Sequence, residues 1–214
     1  MMKNVIACTV GLLLVMGFGF QAYADNPQPQ TVVVYPMIFA NGTNGAHEIS
    51  VKYLHSILTK IYLVQIPEDK ATFTWVKVMH NDPPTPTTGM PSNKELLKLG
   101  VKLTADWVIA VRERWHTRSI WVGFGPKTKS DCYVDMKIIH VRNAEIVRDV
   151  KNIDGNDTAR DDPLKDAGAI LLTPFITTVS GGPKTPHEQK AAENALGKAI
   201  SPWVKTMSQT RKIE

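Results

Sequence analysis

Ser92 to Glu113 reads SNKELLKLGVKLTADWVIAVRE, and this stretch decides the fold class. Ser92-Asn93-Lys94-Glu95 is a capping box: the Ser hydroxyl accepts from an early helix amide, and the Glu side chain reaches back to the cap. The helix it opens is expected to end at Gly100, since glycine enters the left-handed conformation of a C-cap at no steric cost. Asp106 to Glu113 then reads as a strand. A helix handing directly to a strand is the unit step of an α/β sheet packed by helices.

Toward the N-terminus, His80 to Pro91 (HNDPPTPTTGMP) holds four prolines in twelve residues and is a loop. Phe73 to Met79 (FTWVKVM) reads as a strand with apolar residues on both faces. From His47 to about Tyr62 the pattern is helical, with Leu54, Ile57, Leu58 and Ile61 on one stripe. Ala40 to Gly45 is an Asn- and Gly-rich turn, and Thr31 to Ile38 (TVVVYPMI) is a buried first strand.

Toward the C-terminus, Cys132 to Val141 (CYVDMKIIHV) is a strand that turns at Asn143-Ala144 into Glu145 to Ile153 (EIVRDVKNI), a meander hairpin. Alternation puts Ile146, Arg148 and Val150 on one face and Val147, Asp149 and Lys151 on the wetter one. Asp162-Pro163 opens a helix to about Thr173, and Ser180-Gly181-Gly182-Pro183 breaks it. Thr185-Pro186-His187-Glu188 is a second capping box, for a helix to about Ile200. The whole is an α/β (α+β) chain with a single domain, a mixed sheet with a strand meander packed by helices.

Residues 1–24 read as a signal peptide. Lys3 gives a positive start, Val5 to Phe20 is mostly apolar, and Ala22 and Ala24 form an A-x-A site with cleavage after Ala24. The apolar run is too short and too Gly-punctuated for a spanning helix, so no stable membrane anchor is expected. Residues 25–30 (DNPQPQ) form a flexible leader, 31–204 the domain, and 205–214 (KTMSQTRKIE) a polar tail. The expected address is periplasmic or secreted.

Across 214 residues, 43% are apolar, 21% charged and 7% aromatic, which excludes wholesale disorder and a fibrous repeat. The formal charge of +5 falls to +4 without Lys3, too small and diffuse to argue for nucleic acid. Losing Cys8 leaves Cys132 as the one cysteine, so stability must come from the core and not from disulfides. Cys132 itself reads as a small buried hydrophobe.

Catalytic spacings are missing: there is no H-E-x-x-H, C-x-x-C or G-x-S-x-G, and Gly123-Phe124-Gly125-Pro126-Lys127-Thr128 lacks Walker spacing. The histidines His47, His55, His80, His116, His140 and His187 are scattered, and no metal site, cofactor or catalytic residue is assigned. Asp154-Gly155-Asn156-Asp157, with Asp161 and Asp162, departs from a calcium loop and reads as a turn and a helix cap.

Arg112 to Lys129 (RERWHTRSIWVGFGPKTK) is the least generic stretch. If the strands from Asp106 and Cys132 pair, it forms the long end of their hairpin. Aromatics interleaved with cations suit a binding surface, and the candidate partner-binding residues are Arg114, Trp115, Arg118, Trp121 and Phe124. The competing reading has the Trp side chains capping the core while the cations face water.

The step Leu96-Leu97-Lys98-Leu99-Gly100 to Ala105-Asp106-Trp107-Val108-Ile109, after a strand ending in Pro36, resembles bacterial envelope proteins of the CsgG-like group. That group includes the amino-terminal domain of TolB and the lipoprotein activators of penicillin-binding proteins. Val141-Arg142-Asn143-Ala144-Glu145-Ile146 matches their "valine, x, x, Gly-Glu-Ile" turn, with Ala144 in place of Gly. The resemblance spans Thr31 to Ile153 and implies a non-catalytic α/β domain that binds other envelope components. It transfers no functional residue. The chain departs from the group in having no lipidated cysteine at the mature start and no long amphipathic hairpins for a pore.

The function expected is therefore that of a non-catalytic binding or accessory protein of the cell envelope, acting on an envelope protein partner, with its oligomeric state open. The alternatives are a secreted hydrolase built from His116 or His140 with Asp135 or Asp149, and a small-ligand carrier. Asp135 and His140, five apart on one strand, should face opposite sides.

Overall fold

The computed structural model describes residues 29–122, 125–160 and 185–210. The readings made for 1–28, for Phe124, for 161–184 (Asp161, Asp162, the helix from Leu164, the Ser180–Pro183 break) and for 211–214 lie outside the described residues.

Five strands form one mixed sheet in the order β2-β1-β3-β4-β5. β1 (Thr31–Ala40) runs parallel to β2 (Val64–Gln65) and to β3 (Trp107–Val122). β4 (Gly125–His140) and β5 (Glu145–Arg160) complete an antiparallel meander with β3. Four described helices pack on it: α1 (Asn44–Lys60), α2 (Glu68–Met79), α3 (Asn93–Leu103) and α4 (Thr185–Thr210).

Strand alternation builds two cores. Val32, Trp107, Ile109, Val111, Trp115, Cys132, Val134, Met136 and Ile138 face α1 and α4, which contribute Leu54, Leu58, Ala195, Leu196 and Trp203. Val33, Tyr35, Val108, Ala110 and Ile139 face α2 and α3, which contribute Trp75, Leu96 and Leu99. A single α/β domain with a mixed sheet and a meander is thus observed, and the capping box at Ser92 and Glu95 is formed as read.

Phe73 to Met79 is a correction, for it lies in α2 and not in a strand. A short run of aromatic and β-branched residues has strand composition, but Ala71, Trp75 and Val78 fall on one helical stripe against the core. Glu68 and Asp69 in the first turn favour the helix dipole. Phe73 is left 70% exposed and Val76 46% exposed, so this run is covered on one side only.

Gly100 is a second correction. The helix continues to Leu103, and Thr104 takes the left-handed C-cap at φ 54°. Gly100 is needed for close approach: a Cβ there would lie 2.5 Å from Val141 Cγ2 and 2.7 Å from Val108 Cγ2. Ala144, not Gly, carries positive φ (52°) in the β4–β5 turn.

Asp154 to Asp157, expected as a turn, lies within β5. Gly155 stands where α4 crosses the sheet, and a Cβ would come 2.2 Å from the Ala191 carbonyl oxygen and 2.4 Å from the Ala195 nitrogen. Asp157 meets the start of α4, with His187 Nδ1 at 2.6 Å and Lys190 Nζ at 3.3 Å. Tertiary partners on α4 thus override the low strand propensity of Asp, Gly and Asn. α4 runs past Pro202 to Thr210, beyond the end expected near Ile200, with Trp203 buried beneath it.

Candidate functional site

The hairpin expected from Arg112 to Lys129 exists, and its register settles what each residue does. Trp115 pairs with Cys132, Arg114 with Tyr133, His116 with Asp131 and Arg118 with Lys129. Alternation sends Glu113, Trp115 and Thr117 toward α1 and α4, and Arg112, Arg114, His116 and Arg118 to the other face. The two kinds of residue that looked interleaved in sequence are separated by the sheet.

On the helix-covered face, Trp115 is 3% exposed and its Nε1 donates to the Glu188 carbonyl at 3.1 Å. Its ring belongs to the core and presents nothing to a partner, which removes it from a docking surface. Arg114 is also largely engaged: Nη2 donates to Asp135 Oδ1 at 3.1 Å and to Asn152 Oδ1 at 2.5 Å. Arg118 is exposed. Trp121 lies in β3 opposite Pro126, its side chain outside the described residues, as Phe124 is entirely.

Asp135 organises the inner part of the free face. It receives Arg112 Nε at 2.9 Å, Arg114, and the Asn152 amide at 2.8 Å, the last placed by a bulge at which Asn152 has φ 55°. Burial alone would raise its carboxyl, but the Asn152 amide and the two guanidiniums outweigh that and hold it below the usual range. Its central role was not legible, because the bulge that brings Asn152 to it leaves no local mark in sequence.

At the carboxyl end of β1, where parallel α/β sheets commonly bind ligands, the chain fills the crevice with its own groups. Thr43 caps α1, and its amide donates to Glu188 Oε2 at 2.9 Å while Thr117 Oγ1 donates to Oε1 at 2.8 Å. A carboxylate from α4 therefore takes the place an anionic ligand would have at this helix start. His47 stacks on Phe39 with centroids 4.4 Å apart, and burial pushes its pKa down. A Cβ on Gly42 would lie 2.6 Å from Trp115 and 2.8 Å from His47 Nε2, so the loop is held tight. A shallow cavity of about 360 Å³ remains outside Glu188.

Deeper on the same face, Glu113 is fully buried. Ser50 Oγ donates to its Oε2 at 2.7 Å, and Oε1 has no partner. Burial pushes this carboxyl up to about 8, against an ordinary 4.5, so it is neutral at pH 7. Cys132, also fully buried, has its thiol pushed up by burial first and by Glu113 second, the opposite of an activated nucleophile.

The hydrolase pairs are not assembled. His140 packs on Trp107 with centroids 4.5 Å apart, on the face opposite Asp135. His116 is opposite Asp131 in register, while Asp135 is taken by the arginines. Among the described residues there is no group of three or more His, Cys, Asp or Glu that could hold a metal ion. Among them, too, no helix is long and apolar enough to cross a membrane.

No protein-family model matches the chain, and no curated protein does. Solved structures of bacterial proteins are similar to it at low identity. Lipoprotein GNA1162 from Neisseria meningitidis is 11% identical, with 70% of this chain and 99% of that one covered at a TM-score of 0.43. The LpoB C-terminal domain from Salmonella enterica is 10% identical, with 62% and 84% covered at a TM-score of 0.37.

Proposed function

We propose that this chain is a non-catalytic accessory protein of the cell envelope, exported by residues 1–24, that binds a protein partner on the free face and outer end of the β3–β4–β5 meander. One observation carries the reading. The outer half of the meander is packed by α4 on one face, and among the described residues its other face stays open. Trp115, Cys132 and Gly155 are buried under α4, while His116, Arg118, Tyr133, Asp154 and Asn156 are exposed opposite them. A long three-strand platform open on one side is suited to holding another surface, with Tyr and Arg the residue types enriched at such contacts.

Arg118 anchors the binding set on the free face, Trp121 and Phe124 are assigned to it at the outer end of the hairpin, and Arg114 is a neighbour held by Asp135. The resemblance of Thr31 to Ile153 to the CsgG-like group is part of this proposal, and so are the periplasmic or secreted address and the division into leader, domain and tail. Support for a ligand carrier is weaker, because Glu188 and Trp115 close the crevice at β1.

The test is capture from envelope extract by the chain from Asp25 onward, beside an Arg118→Ala, Trp121→Ala variant. The expected result is an envelope protein retained by the first and lost by the second, with both melting at the same temperature. Equal capture by both, or unfolding of the variant, would overturn the assignment of the surface.

A further inference from the structure

One step outward from Val108 and Ala110, which face α2 and α3, the free face of the sheet meets the segment from Gly89 to Pro91 and leaves a cavity of about 250 Å³. Met90, Arg112, Asp135, Lys137, Asp149 and Lys151 line it. The register explains why they converge: Arg112 stands opposite Asp135, and Lys137 opposite Asp149. Lys137 Nζ also donates to the Pro91 carbonyl at 2.9 Å, which ties that segment to the sheet.

Arg112 is held in one orientation. Its Nε and Nη2 both donate to Asp135 Oδ2, and Asp135, 5% exposed, is fixed in turn by Arg114 and the Asn152 amide. Nη1 is left with no acceptor among the described residues, on the side of Gly89, where a Cβ would lie 3.5 Å from it. A guanidinium fixed with a free donor edge is a receptor for a carboxylate. Asp135 does not cancel its charge, because two guanidiniums share that one carboxylate. Asp149 presents the opposite sign. It is exposed, and among the described residues it makes no ion pair, even with Lys137 in the same row.

We infer that this cavity binds the zwitterionic head of a free amino acid, its carboxylate on Arg112 Nη1 and its ammonium on Asp149. A phosphate or a dicarboxylate would set further negative charge against Asp149, and a simple amine would meet Arg112, Lys137 and Lys151 with nothing to offer them. The volume equals that of about eight waters in the liquid. It lies below the roughly 300–1,000 Å³ of drug- and cofactor-sized sites, and suits a molecule of amino-acid size. The site uses the inner rows of the meander and none of Arg118, Trp121 and Phe124, so it is independent of the partner surface given above.

The experiment titrates the full chain, labelled with nitrogen-15, with glycine, L-alanine and L-leucine, and separately with propionate, propylamine and inorganic phosphate, following amide shifts by NMR. Two variants are compared with the parent. Arg112→Lys keeps a cation for Asp135 while removing Nη1, and Asp149→Asn changes an exposed side chain that makes no ion pair. Melting of each variant is measured alongside, and if Arg112→Lys is unfolded, Asp149→Asn alone decides.

The expected result is saturable shifts at Gly89, Arg112 and Asp149 with at least one of the amino acids, bound roughly tenfold or more tighter than propionate, propylamine or phosphate. Arg112→Lys should weaken that binding roughly tenfold or more, and Asp149→Asn should erase the advantage over propionate. The inference is overturned if none of the amino acids moves these amides, if propionate or phosphate binds as tightly, or if Asp149→Asn leaves the preference unchanged. None of those outcomes touches capture of a partner through Arg118, and failure of that capture would leave the amino-acid site standing.

Discussion

The protonation of Glu113 makes the sharpest prediction. Its carboxyl is buried beneath α1, with Ser50 as hydrogen-bond donor and Cys132 as a titratable neighbour across the same core. In the folded chain it titrates at about 8, against 4.5 ordinarily. Between those values the folded state holds a proton that the unfolded state has lost. Stability from this group is therefore fully present below 4.5 and drains away as pH rises through 8. At 1.36 kcal/mol per pH unit, the loss totals about 5 kcal/mol, of which about 3 kcal/mol has gone by pH 7. That is a large share of a typical domain's 5–15 kcal/mol.

Glu113→Gln keeps the shape and the acceptor for Ser50 while removing the titration. Urea unfolding of both proteins at intervals from pH 5 to pH 9 gives two stability profiles whose difference isolates this one carboxyl. The parent should be the more strongly weakened of the two as pH rises, by several kcal/mol across the range. Parallel profiles would refute the reasoning, since they would mean that Glu113 is ionised in the fold and solvated.

Glycine substitutions test the packing. Gly155→Ala should force α4 off β5 and cost about 1–3 kcal/mol or more, read as a lower Tm, because the added carbon meets backbone atoms that cannot give way. Gly100→Ala separates two roles: helix propensity alone would gain about 1 kcal/mol, yet the contacts with Val141 and Val108 should make the change a net loss in urea unfolding. Arg118→Glu should stabilise the meander by about 0.2–1 kcal/mol, by setting a carboxylate opposite Lys129, while weakening partner capture; a destabilised protein would show that Arg118 is held by contacts of its own.

Local signals were legible where the chain solves its problems locally. The capping box at Ser92 and Glu95, the stripe of α1 and the hairpin between β3 and β4 depend on neighbours in sequence or on simple alternation, and they stand as read. The misreadings share a cause. Gly100 looks like a helix end until Val141, forty-one residues on, is known to lie against it, and Gly155 looks like a turn until α4 crosses it. Asp135 is an ordinary strand carboxylate until a bulge delivers the Asn152 amide. Phe73 to Met79 failed for a different reason: a run so short carries two periods at once, and its partners Ala71 and Trp75 straddle the chosen boundary.

The same limit governs the site. Composition made Arg114, Trp115 and Arg118 one cluster, but a strand places consecutive residues on opposite faces, and the faces here do unlike work. Glu113, Trp115 and Thr117 interlock with Ser50, the Glu188 carbonyl and the Glu188 carboxylate, so a change at any of them disturbs how α1 and α4 seat on the sheet. Arg118 makes the opposite case, exposed and facing a like charge across the β3–β4 pair. Loss of binding on changing Trp115 would therefore say nothing about a partner, because the fold would go first. Loss on changing Arg118, with stability held or raised, has no structural explanation left and must come from the surface it presents.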